Sequence, residues 1–428
     1  MRLQAISVHS FFNLYKMLTK EIQSNLSEPA VLERLYRQNP SAFKSAFLEI
    51  YAEIKSQEVA QIWYERLHYT SEEVAWGNSR DWTFLVVWVL ISAFFMQIPN
   101  MFGISPDTYF SRNMSLIVVT GMGALFVFQQ QLRFATIWSA LAALLFSIIY
   151  MNVVMMDIQR DVYTLACIHV PIFLWIFVGY VYVGGANPAG PKGIEFLRFH
   201  GDLLVMTAVI ALAGGLFSAL TINLFHLIQW DIEKYYFKYG ALSLLPVIPV
   251  LAGFLVQKNP PLVSKISPLI ARIFTPLVFV TLLLFLGATP FSEKDLFNDR
   301  EYLFVFNGVL VGVMALLLFS LSEITKKSVS PFYQYVLVGL AILALFENGL
   351  ALSAIVFRLA EFGISPNRLA VLGSNVLMMG HVAWVTKQLI AFVRVKQEIS
   401  SVENSMTLFL PYYGAWAALV AFLFPLVF

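Results

Sequence analysis

Glu347 sits in the apolar run Val336–Phe357, about ten residues from its end, with Asn348 directly after it. A charge at the centre of a bilayer costs at least about 3 kcal/mol on insertion scales, so a carboxyl there must face the protein interior and find company. The next apolar run offers an imidazole. Twelve residues inward from Leu369 stands His381, within about 3 Å of the depth of Glu347 across a short hairpin. Ser374, His381 and Gln388 follow one another at sevens and share a helical face. A buried acid beside an imidazole and a polar stripe suits a proton relay or a polar-ligand pocket. The same groups would equally serve as a hydrogen-bonded lock between two helices. Arg358 and Arg368 flank the turn of this hairpin. They read as headgroup anchors, or as an anion-binding mouth for the site.

No residue is singled out as catalytic. Neither GxSxG, HExxH nor a paired set of catalytic carboxylates occurs, and no Walker spacing appears in the Gly- and Pro-rich stretch Gly184–His200, which reads as a cytoplasmic connector with an interfacial segment. Glu293, Asp295, Asp299 and Glu301 lack calcium-loop spacing and read as a solvated face. The sequence therefore calls for no cofactor and no metal. The one cysteine, Cys167, excludes an intramolecular disulfide.

These residues must be positioned by membrane-spanning helices. Of 428 residues 59% are hydrophobic and 13% charged, where a soluble domain carries about 25% charged. Lipid must be the solvent for most of such a chain. A net charge of +2 argues against nucleic acid. Eleven apolar segments are long enough to cross about 30 Å of hydrocarbon. They lie near 82–102, 114–130, 134–156, 163–185, 202–229, 237–256, 266–288, 303–322, 332–357, 368–393 and 406–428. The second is short, and its tight link to the third leaves open whether both cross. The fold class expected is all-α, a polytopic transmembrane bundle in residues 82–428.

Residues 1–81 differ. Near-balanced charge and apolar residues at helical spacing predict a small cytoplasmic domain of three or four amphipathic helices, broken near Ser27–Pro29 and Asn39–Pro40. The opening stretch is too polar for an uninterrupted signal-peptide core. With this domain inside, thirteen Lys and Arg fall on the cytoplasmic face and eight opposite, which favours a cytoplasmic N-terminus.

Small residues at close-packing spacing in the fifth span (Ala211, Gly214, Gly215, Ser218, Ala219), and Gly308 with Gly312 in the eighth, predict helix-packing faces. Asn223, His226 and Trp230 read as an interfacial belt. One pentapeptide, Phe-Gly-Ile-Ser-Pro, occurs at 102–106 and at 362–366. Gly ends one helix, Ser caps the next, and Pro occupies its first position. A duplicated half-transporter would also produce such a pair.

The second copy lies in Arg358–Arg368, RLAEFGISPNR. It resembles the turn signature of an uncharacterised family of bacterial multi-span membrane proteins, the domain of unknown function 4153. The stretch from Arg198 through Gly214-Gly215 and Thr221–Phe225, and the region Ser264–Val280, are similar to it too. The resemblance covers about residues 190–395 and implies a bacterial inner-membrane location and a rough topology, but no reaction.

Three functions fit. A permease-like protein would bind or move a small or lipidic solute with Glu347 as protonatable gate or counter-ion. A non-catalytic envelope scaffold would use its N-terminal domain to dock a protein partner. A lipid-modifying enzyme would use His381 as base with Glu347 orienting it. Membrane lipids are partners in every case.

Overall fold

The computed structural model describes residues 18–68, 76–130, 132–154, 161–186, 191–227, 229–291, 300–324, 330–395 and 398–428. The stretch read for a signal peptide falls largely outside these residues, as do Glu293, Asp295 and Asp299. The chain divides into two compact units at Ala75–Trp76.

The first unit is a small all-α bundle. Residues 18–24 form α1, followed by α2 (Pro29–Gln38), α3 (Pro40–Ile54) and α4 (Glu58–His68). Its breaks fall where the prolines require them. Asn39 Oδ1 accepts from the Ala42 N–H at 3.1 Å and so caps α3. Ile22, Leu32, Phe43, Phe47, Ile54 and Trp63 make the core. On its surface Glu33 pairs with Arg37 at 2.8 Å and with Arg66 at 2.9 Å.

The second unit is a polytopic helical membrane bundle with, among the described residues, ten helices long and apolar enough to span, or eleven when one bent pair is taken as a span. Helix α5 (Ser79–Phe102) starts at a capping box between Asn78 and Asp81. Asp81, 5% exposed, also meets Lys258 Nζ at 2.9 Å. This capped start belongs to the membrane unit, so the boundary lies before the expected residue 82. Next come α6 (Pro106–Gln129), α7 (Phe134–Ile149, with a π-turn to Val154), α8 (Asp161–Tyr182) and α9 (Pro191–Leu227). Helix α6 starts eight residues before the expected 114, because Pro106 opens it. The second and third spans are two separate helices.

The bent pair is α10 (Glu233–Leu244) and α11 (Val247–Lys258), at 42° around Pro246. The rest are α12 (Pro260–Ala288), α13 (Arg300–Ile324), α14 (Pro331–Phe362), α15 (Pro366–Val395), α16 (Ile399–Thr407) and α17 (Leu410–Ala418), the last continued to Val427 through a π-turn.

Three expectations are corrected. The latter part of 184–200 is not a connector: α9 begins at Pro191 and buries Ile194, Phe196 and Phe199. The glycines of the small-residue faces are not packed against another helix among the described residues, since a Cβ added at Gly214, Gly215, Gly308 or Gly312 would find open space within 4 Å, although Ser218 Oγ lies 3.0 Å from the Tyr236 hydroxyl. The pentapeptide copies share a helix stop and start but not a conformation. Gly103 is left-handed (φ 64°, ψ 28°), whereas Gly363 takes φ 73°, ψ −175°, so the two turns are not a structural repeat.

Candidate functional site

Helix α14 turns a strict seam inward. Tyr333, Leu337, Leu340, Ala344, Glu347, Ala351 and Ala354 alternate spacings of four and three, and all are buried. The carboxyl therefore occupies a core position, 1% exposed, with alanine one turn to either side. Asn348, beside it, is equally buried.

Two apolar clusters bracket this level. Toward Ser330, Leu337, Leu340 and Ala344 pack with Leu317 and Leu321 of α13 and Val382, Val385 and Leu389 of α15. Toward Phe362, Ala351, Ala354 and Ile355 pack with Leu303, Phe306 and Leu310 of α13 and with Met378 of α15. Met314 touches both clusters. The residues between them form a polar layer: Glu347 and Asn348 from α14, and His381 from α15. The hairpin register requires it. Glu347 lies fifteen residues before Phe362 (362 − 347), and His381 fifteen after Pro366 (381 − 366).

Acid and imidazole share a depth but not a bond. Both carboxylate oxygens of Glu347 and both amide atoms of Asn348 are buried without a hydrogen-bond partner among the described residues. His381 turns instead to the last span. Its Nδ1 lies 3.2 Å from the Tyr413 hydroxyl, and its ring stacks on Phe409 with centroids 4.8 Å apart and planes at 9°. The Tyr413 hydroxyl also lies 3.4 Å from Met314 Sδ, so its one proton serves either neighbour but not both.

The backbone hydrogen-bond ladder of the last span is interrupted at this level. The backbone ladder of α16 reaches Leu408 N–H to Asn404 carbonyl, and that of α17 resumes with Tyr413 N–H to Phe409 carbonyl. Pro411 has no N–H for the Thr407 carbonyl. The His381 ring lies against the backbone of Ser405 and Met406, in the turn that the break opens. Leu408 and Phe409 keep right-handed helical torsions through it, so the ladder is interrupted without unwinding. Gly373 makes room for the Trp416 indole, whose Nε1 donates to Ser374 Oγ at 3.1 Å.

The polar stripe thus divides. Ser374 and His381 engage α17, while Gln388 is half-buried two turns further on. Arg358 and Arg368 stand at the turn. Both guanidinium groups lie over the Phe362 ring, at 5.6 and 5.4 Å. Arg368 Nη1 also donates to the carbonyls of Phe362 and Gly363, at 2.7 Å each, closing the end of α14. From Arg358 to Glu347 is eleven residues of helix, about 16 Å, so the arginines of the turn do not stand at the depth of the carboxyl.

Residues missed in the sequence are Tyr413, Phe409, Met314 and Asn375, the last 1% exposed with an unpartnered amide nitrogen. Pro411, inside an apolar run, was the available signal for the break. Two concavities lie elsewhere. One of about 580 Å³ runs between Ser139, Phe177 and Gly414, and another of about 540 Å³ between Ser111, Cys167 and Trp175. Both have apolar walls suited to lipid chains, and neither is lined by Glu347 or His381. Among the described residues one trio has metal-ligand chemistry: His226, Asp231 and Glu233, with ligand atoms within 4.8 Å of one another and all exposed. Set against protein-family models, curated proteins and solved structures, the chain matches none.

Proposed function

We propose that this polytopic membrane protein is permease-like, binding or moving a small or lipidic solute through the Glu347–His381 layer, with Glu347 as its protonatable gate. One observation carries the reading: a carboxyl at mid-depth, 1% exposed and without a hydrogen-bond partner among the described residues, lies level with an interruption of the backbone hydrogen-bond ladder in the neighbouring span. A lock between helices would satisfy its own polar groups. The excess of Lys and Arg on the side of the N-terminal unit supports a cytoplasmic N-terminus. The turn at Arg358–Arg368 supports a bacterial inner-membrane setting through the family it resembles.

The test is proton movement in proteoliposomes loaded with a pH-sensitive dye, with a potassium diffusion potential imposed. Wild type is expected to carry protons and Glu347→Gln to carry none while still folding. Full proton movement in Glu347→Gln refutes the gate.

A second reading is a scaffold, favoured by the separate N-terminal unit with its own core. Removing residues 1–75 separates the two: a scaffold loses its protein partner, whereas a permease keeps its flux.

A further inference from the structure

We infer that the Glu347–Asn348 pair is a binding site for one small monovalent cation; the inference rests on reading this layer as a ligand centre, and not on transport. Three oxygens of these neighbouring residues, the two carboxylate oxygens of Glu347 and Oδ1 of Asn348, are buried and unpartnered. Both side chains are 1% exposed. Oxygen donors without nitrogen or sulfur select hard cations.

Charge fixes the valence. Within α14 and α15 the layer holds a single carboxylate. Arg358 and Arg368 stand at the far turn, occupied with Phe362 and, for Arg368, with two carbonyls. One monovalent ion neutralises one carboxylate. A divalent ion would leave a net charge buried among Ala344, Ala351 and Leu340, at the cost that falls on any uncompensated intramembrane charge. His381 turns its Nδ1 to Tyr413 and its ring to the backbone of Ser405 and Met406.

Monovalent occupants with which such oxygens bond are an alkali-metal ion or the ammonium head of a small amine. A proton is the competing occupant, because the carboxylate binds the ion only when ionised.

The experiment is thermal unfolding of the purified full-length chain in detergent, followed by tryptophan fluorescence. It is run at fixed ionic strength in sodium, potassium, methylammonium or N-methylglucamine chloride, from pH 5.5 to 8.5. One of the first three cations is expected to raise Tm by roughly 5 °C at a hundredfold excess over its Kd. Its half-saturating concentration is expected to rise about tenfold per pH unit where the carboxyl is protonated. A sodium or potassium response assigns an inorganic ion, and a methylammonium response an amine. Glu347→Gln is expected to abolish the shift, and Asn348→Ala to raise the half-saturating concentration about tenfold through loss of one oxygen. Should Glu347→Gln fail to fold, Asn348→Ala and Glu347→Asp carry the test, each with the carboxylate kept and its geometry altered. Equal Tm in all four chlorides overturns the site, as does a shift that survives unchanged in every variant. A cation shift without proton movement in vesicles leaves this site standing and removes the gate. Proton movement without a cation shift does the reverse.

Discussion

The Tyr413 hydroxyl lies 3.2 Å from His381 Nδ1, joining the broken last span to the α14–α15 hairpin at the depth of Glu347. The imidazole is 1% exposed, so this contact is made where water does not compete. Tyr413→Phe keeps the ring and removes the hydroxyl. It is expected to cost about 1–3 kcal/mol, because a buried ring nitrogen loses its partner. Thermal unfolding in detergent measures the loss. A change within error would mean that Nδ1 finds another partner as good.

The notch at Gly373 sets how closely α15 and α17 approach. A Cβ there would run into the Trp416 indole. Gly373→Ala is expected to destabilise by about 1–3 kcal/mol through overpacking. Combining it with Trp416→Phe, which shrinks the intruding ring, is expected to recover at least half of that loss. A double-mutant cycle reads the coupling directly. Additive costs would show that the notch is not what seats the indole.

Much of the architecture was legible because lipid permits few solutions. Uninterrupted apolar length marked the spans, and proline with glycine marked their ends, as at Pro106, Pro366 and Gly363. The shared depth of Glu347 and His381 was legible too, since a three-residue turn fixes hairpin register. Their partners were not. Depth says nothing of the angle around a helix axis, and His381 points to α17 while Glu347 stays on the α14 seam. Tyr413 and Phe409 carry no spacing that joins them to His381, because their meeting depends on the break before Pro411. The small-residue faces misled for a related reason: Gly214 and Gly308 permit close approach but do not specify a neighbour. Lipid and protein are equally apolar alternatives there.

The N-terminal unit carries the clearest pH dependence outside the membrane. The Arg37 hydrogen bond, with Arg66 beside it, holds the Glu33 carboxyl below its usual range. A carboxylate with a lowered folded pKa contributes stability that is fully present above the unfolded value, about 4.3, and lost as pH falls through the folded one. Hydrogen exchange of α2–α4 in the full-length chain is expected to be faster in Glu33→Gln than in wild type at pH 7. The difference should vanish in acid below the folded value. It should also shrink in 1 M salt, since the pair is at the surface and screened. A difference that persists in acid would point to side-chain packing rather than charge.

The two copies of Phe-Gly-Ile-Ser-Pro make opposite predictions for one substitution. Gly103 occupies the left-handed helical region, with nothing within 4 Å of an added Cβ. The Ile104 N–H meets the Pro99 carbonyl at 3.1 Å, closing α5 as a glycine or an asparagine would allow. Gly363 has φ 73° and ψ −175°, a region populated almost only by glycine. There the helix end is closed by the Arg368 guanidinium in place of a backbone N–H. Gly103→Asn is therefore expected to cost less than about 1 kcal/mol. Gly363→Asn is expected to cost about 1–3 kcal/mol through backbone strain. Arg368→Lys should weaken the second turn alone, because an ammonium lacks the planar fork that reaches both carbonyls. Thermal unfolding of the three variants beside wild type decides the matter. Equal costs at the two glycines would show that the identical pentapeptides adopt one conformation after all.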